Sequence, residues 1–196
     1  MSINRRKYLP FSSRGTKRSD KTQSGSAVDE VNELDETKLM SAAAEGGRGQ
    51  VLRSLVLARA NVHEMKADGV TAMWLAAEFG HSKCVQVLAS LKADVNRASN
   101  SGATPLYMAA RNGHVKCIKT LVKLRSDVNQ PDSKGSYPIH QAAINGHAEC
   151  VKALVIAKGE VNRPVSNLSS MNETYPVHEA ARYDHRETLR AASSAD

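Results

Sequence analysis

Three His-x-x-Cys pairs are the groups in this chain best suited to hold a metal: His81 with Cys84, His114 with Cys117, and His147 with Cys150. Imidazole and thiolate three residues apart share one face of a helix, and zinc accepts both. A zinc site, however, gathers about four ligands at one point. These pairs follow one another at intervals of 33 residues, so they belong to successive copies of a unit. Free Cys commonly packs as a small hydrophobe. We therefore expect no metal and no cofactor. Catalytic sets are missing too, since the chain has neither Gly-x-Ser-x-Gly nor His-Glu-x-x-His. Glu45-Gly-Gly-Arg-Gly49 has the glycines of a phosphate loop without the Lys-Ser/Thr that completes one. Asp35 and Glu36 sit in an acidic run. The chain reads as a non-enzyme.

The elements that carry those pairs are short helices with marked ends. In Gly102–His114, Thr104 can accept from orphan backbone N–H groups and Pro105 suits the first helical position. Leu106, Ala109 and Ala110 form an apolar stripe, and Gly113 tolerates a left-handed stop. Alone, such a helix barely forms in water, but it recurs. Thr71-Ala-Met-Trp-Leu-Ala-Ala77 precedes Thr104-Pro-Leu-Tyr-Met-Ala-Ala110, and Tyr137-Pro-Ile-His-Gln-Ala-Ala143 and Tyr175-Pro-Val-His-Glu-Ala-Ala181 follow. The first two steps are 33 residues and the last is 38, an insertion of five. Lys38-Leu-Met-Ser-Ala-Ala-Ala44 fits the same frame.

The second half of the unit repeats as well. Gly80-His81, Gly113-His114 and Gly146-His147 each lead to Cys-Val or Cys-Ile and then to Leu88, Leu121 or Leu154. Val115, Ile118, Leu121 and Val122 share one helical face, and Lys116, Lys119 and Lys123 the opposite, solvated one. Units close with Asp94-Val-Asn96, Asp127-Val-Asn129 or Glu160-Val-Asn162 and a polar turn.

Taken together, the period, Thr-Pro-Leu, Ala-Ala, Gly-His and Val-Asn motifs resemble the ankyrin repeat family over about residues 36–192. The resemblance implies an all-α solenoid of antiparallel helix pairs with projecting β-hairpin or turn fingers. Each unit is stabilised by its neighbours. The expected organisation is a basic then acidic tail over 1–33 and an array over 34–192. Its units are 34–66, 67–99, 100–132, 133–170 with the inserted finger, and a short terminal unit at 171–192; 193–196 form a second tail. The resemblance also places each Cys in the buried packing position of a second helix. One departure stands out. The family pairs Thr with His in its Thr-Pro-Leu-His motif, whereas Thr71 and Thr104 here accompany Trp74 and Tyr107, and His140 and His178 accompany Tyr137 and Tyr175. The last two copies thus lose a Thr cap unless Ser136 and Thr174 substitute.

Family members bind other proteins on the concave side, made of first-helix faces and finger tips. By position this selects Leu75, Glu78, Phe79, Met108, Arg111, Asn112, Gln141, Ile144, Asn145, Glu179, Arg182 and Tyr183. Arg97, Gln130, Asp132 and Arg163 come from the finger tips. Asn96 and Asn129 resemble asparagine hydroxylation sites of ankyrin arrays, although Asn at this position also bonds the finger backbone. The implied function is a non-catalytic, monomeric scaffold or adaptor whose partner is another protein. An alternative makes the chain the recognition module of a larger enzyme or regulatory protein.

Composition agrees with this picture. Aromatic residues are 4% of the 196, so the core must rest on Ala, Leu and Val. No apolar run approaches the roughly 20 residues of a membrane span, and the N-terminus lacks a signal-peptide segment. Three cysteines without short spacing fit a reducing compartment, cytoplasmic or nuclear. The net charge of +7 is uneven: residues 1–21 hold seven Lys or Arg against Asp20 alone. That tail reads as a solvated disordered segment. Nuclear import, nucleic-acid or anionic-surface binding, and an organelle transit peptide are its other readings.

Overall fold

The computed structural model describes residues 37–45, 49–159, 165–166, 173–182 and 185–193. Ten helices are seen among them, in five pairs: α1 (Lys38–Glu45) with α2 (Gly49–Leu57), α3 (Ala72–Glu78) with α4 (Ser82–Ser90), α5 (Pro105–Arg111) with α6 (Val115–Lys123), α7 (Pro138–Ile144) with α8 (Ala148–Ile156), and α9 (Pro176–Arg182) with α10 (Arg186–Ser193). First helices pack on first helices along the row α1, α3, α5, α7, α9, and second helices on second helices along α2, α4, α6, α8, α10. Two helical layers result, and the expected all-α solenoid is what the chain forms.

The core lies between the layers. Ala76 with Ala77, Ala109 with Ala110, and Ala142 with Ala143 are fully buried. Their small side chains let adjacent first helices approach closely. Leu88, Leu121 and Leu154 fill the same level from the second helices, alongside Cys84, Cys117 and Cys150. Burial pushes the Cys117 thiol up to about 12 and that of Cys150 to about 11, so both stay protonated and unreactive at neutral pH.

Helix ends show why units cannot stand alone. Thr71 and Thr104 cap α3 and α5 by accepting from the N–H groups of Trp74 and Tyr107, at 3.2 and 3.1 Å. Tyr137 offers α7 no such bond. Ser136 does not substitute, because its hydroxyl accepts from Gln141 Nε2 at 3.0 Å. A missing cap typically costs ~1 kcal/mol. At the other end, unsatisfied carbonyls of first helices are met by the histidine of the next unit. His81, His114, His147 and His185 place Nε2 2.9–3.1 Å from the carbonyls of Ala44, Glu78, Arg111 and Ile144. A carbonyl only accepts, so Nε2 carries the proton.

Fingers join the units a second time. Asn100 N–H donates to the Asp68 carbonyl at 2.8 Å, and Ser133 N–H to that of Ser101 at 2.9 Å. Met65 and Thr71 form an isolated antiparallel bridge. In the inserted finger, β1 (Val165–Ser166) pairs antiparallel with β2 (Glu173–Thr174), Val165 opposite Thr174.

Candidate functional site

Side chains near the C-terminal ends of α3, α5 and α7 meet solvent on adjacent first helices, and these are the natural candidates for contact with another molecule. Arg111, Asn112 and Asn145 are exposed. Glu78, Phe79 and Ile144 are half-buried beside them. Helix-end geometry sets this arrangement, because the chain turns from first to second helix there. Asn112 Nδ2 donates to the Glu78 carbonyl at 3.0 Å, tying α5 to α3. Asn145 Nδ2 donates to the Gln141 carbonyl at 2.8 Å within its own helix. The Phe79 ring stacks on His81, with centroids 6.4 Å apart, and so rests on the core with one side open.

Finger residues contribute a second strip. Exposed Arg97 sets Nε 3.3 Å from Met65 Sδ. It borders a cleft of about 260 Å³ at the base of the first two fingers, also lined by Val62, His63, Met73 and Asp94. That cleft was not visible as a sequence motif, because its walls come from two units. Gln130 is half-buried. The Asp132 carboxylate accepts from Tyr107 Oη at 2.7 Å and from the Lys134 and Ser136 N–H groups at 3.0 and 2.8 Å, so it is largely committed to the finger.

Two residues carried over from the concave pattern lie elsewhere. Leu75 is 1% exposed and Met108 4%. Leu75 packs inside the main core, while Met108 joins a small cluster with Ala103, Tyr107 and Trp74. Both are buried, so neither side chain presents a surface. Glu179 and Arg182 lie on α9, with side chains outside the described residues. Arg163 and Tyr183 fall outside them altogether.

Residues that replace the family's usual Thr–His pairing take on a bridging role. Trp74 Nε1 donates to the Ala103 carbonyl at 3.0 Å, and Tyr107 reaches Asp132; each bond crosses into the next finger. His140, at the same position, is fully buried beside the Tyr137 ring. The candidate hydroxylation sites also bridge units. Asn96 Oδ1 accepts from Ser126 Oγ and the Asp127 N–H at 3.0 and 2.9 Å, and Asn129 Nδ2 donates to the Lys158 carbonyl at 3.3 Å. In the His-x-x-Cys pairs, imidazole and thiol serve different partners, the carbonyl of the previous unit and the core. Among the described residues no three His, Cys, Asp or Glu side chains converge as metal ligands.

The periodic bonding is matched by sequence comparison. A family model described as ankyrin repeats (3 copies) matches residues 39–132, and another, ankyrin repeats (many copies), matches residues 113–155. Together they cover more than half of the chain. The chain belongs to the ankyrin repeat family. No curated protein matches it. Ankyrin repeats are protein–protein interaction modules, and no helix among the described residues is long and apolar enough to cross a membrane.

Histidines at the joints of the ankyrin array make its stability depend on pH. Desolvation holds His114 and His147 below the ordinary imidazole value of 6.5, reinforced by neighbouring histidines and only partly offset by the hydrogen bonds to Glu78 and Arg111. As pH falls through about 6.5, the unfolded chain therefore takes up protons before the folded one. Stability is fully present above that pH and declines below it, down to the lower folded values. Thermal melts from pH 7.5 to 5 should show a falling midpoint; a flat profile across that range would contradict the assignment.

Proposed function

We propose that the array is a non-catalytic scaffold or adaptor that holds one partner protein against the concave surface. The contact would be formed by the ends of α3, α5 and α7 and by the finger tips. The observation that carries this reading is the alignment of Phe79, Arg111, Asn112, Ile144 and Asn145 on three consecutive first helices. Aromatic and Arg side chains dominate the energetics of protein interfaces, and the inter-unit hydrogen bonds preorganise this row before a partner arrives. Glu179, Arg182 and Tyr183 extend the row in the same repeat frame, with Arg97, Gln130 and Arg163 at its finger edge. Leu75 and Met108 support it from beneath. Three free, buried thiols suit a reducing compartment such as cytoplasm or nucleus.

The test is affinity capture from cell extract with the full chain and with residues 1–33 removed. The same partner proteins should be recovered by both. Loss of every partner on removing the tail would assign binding to its basic residues instead, and steep salt sensitivity would then identify a polyanion.

A further inference from the structure

Arg59, Lys92, Arg125 and Lys158 stand 33 residues apart, one in each of the first four units, just after the second helix. All four adopt left-handed backbone, with φ of 69°, 70°, 61° and 64°, and no other non-glycine residue described does so. In that conformation Cβ crowds the following carbonyl oxygen, which is why glycine is the usual occupant. Here every copy carries an exposed cation. None of these four side chains makes an ion pair or hydrogen bond among the described residues. A strained position that repeatedly holds a free charge points to a use for that charge.

The surroundings indicate what it meets. Segments 49–59, 82–92, 115–125 and 148–158 contain ten Lys or Arg and one acidic residue, Glu149, which is paired with Lys152 at 2.8 Å. Every one of those cations is exposed. Of the other acidic residues described, Glu187 lies on α10, where it pairs with Arg190 at 3.0 Å, and the rest lie on first helices and fingers; the closest in sequence, Asp94 and Asp127, accept from the N–H groups of Asn96 and Asn129. The four segments contain no aromatic residue and so offer no platform for stacking bases. They do contain two fully presented aliphatic side chains. Leu57 and Ile156 are each 85% exposed, two residues before Arg59 and Lys158 at the outer ends of the ladder. Packed helices lie about 8–10 Å apart, so the ladder spans roughly 25–30 Å. An extended row of cations flanked by aliphatic tips matches an anionic bilayer, where basic residues meet headgroups and apolar ones reach the acyl boundary.

We propose that the second-helix edge of the array is a peripheral docking surface for anionic lipid membranes, on the side away from the protein-binding face. The probe is a vesicle of phosphatidylcholine with phosphatidylserine, compared with phosphatidylcholine alone, sedimented with the full chain. The chain should partition onto the anionic vesicles only, and less so as salt rises. The variant R59G/K92G/R125G/K158G should lose about fivefold in partition for each cation removed, with an unchanged helical spectrum and a melting midpoint that holds or rises, since glycine relieves the strained backbone. A second variant, L57S/I156S, should weaken vesicle binding while keeping all charges. Unchanged partition in either variant overturns the proposal, as would ladder-dependent binding of an oligonucleotide without binding of vesicles. A lowered midpoint in the glycine variant with no change in partition would assign the cations to capping helix ends.

Discussion

Leu121→Ala is expected to cost about 2–5 kcal/mol, the range for a buried Leu truncated to Ala in a packed core. Leu121 is fully buried on α6, and α6 contacts α4, α5 and α8. The cavity would therefore open at the middle of the stack, where a unit is supported from both sides. In an array each unit draws stability from its neighbours, so the loss should spread beyond α6 and weaken both adjacent interfaces. Chemical denaturation should show an earlier midpoint, and amides of α4 and α8 should exchange faster along with those of α6. Lys119→Ala, on the exposed face of the same helix, should stay within about 0.5 kcal/mol of wild type. Equal effects from the two substitutions would mean that the layers are not packed as described.

Gly113→Ala should be nearly as damaging, for a different reason. Gly113 has φ +77°, and a Cβ there would lie 2.8 Å from Cε1 and Nδ1 of His147. The left-handed backbone alone costs roughly 1–2 kcal/mol for a residue with a Cβ. The His147 ring must also move, which strains its bond to the Arg111 carbonyl, worth about 0.5–1.5 kcal/mol. Gly80 and Gly146 face His114 and His185 in the same way, so the geometry is a property of the joint. The double variant G113A/H147A should cost measurably less than the two single losses added together, because the second change removes the ring that the first one strikes. Additive losses would show that the ring and the glycine do not meet.

Much of this architecture is legible in the sequence because a 33-residue period leaves few alternatives. The pattern of Thr104, Pro105, Ala109, Ala110 and Gly113 places a helix and both its ends, and repetition implies stacking. Side-chain assignments within a helix are harder to read. One residue turns the helix by about 100°, and which sector is covered depends on the neighbouring unit. Leu75 and Met108 illustrate this: their frame suggests the concave surface, yet both are buried. Long side chains cross between units in ways that a single motif does not encode. Trp74 and Tyr107 look like departures from the Thr–His pattern, and only the placement of the next finger reveals the carbonyl of Ala103 and the carboxylate of Asp132 as their partners. The cation ladder is hidden for a related reason, since Lys92 or Arg125 is unremarkable in sequence until its backbone is seen to be left-handed.

The proposed protein-binding function rests on one surface of the array. The most direct measurement is the affinity of a captured partner for the double variant F79A/R111A, read alongside circular dichroism. Phe79 and Arg111 lie at the ends of adjacent first helices, one half-buried against His81 and one exposed. Interface anchors of these types typically cost more than about 1 kcal/mol each when truncated, so binding should fall at least about thirtyfold with the helical spectrum unchanged. Undiminished affinity in a folded double variant would contradict binding at the concave face.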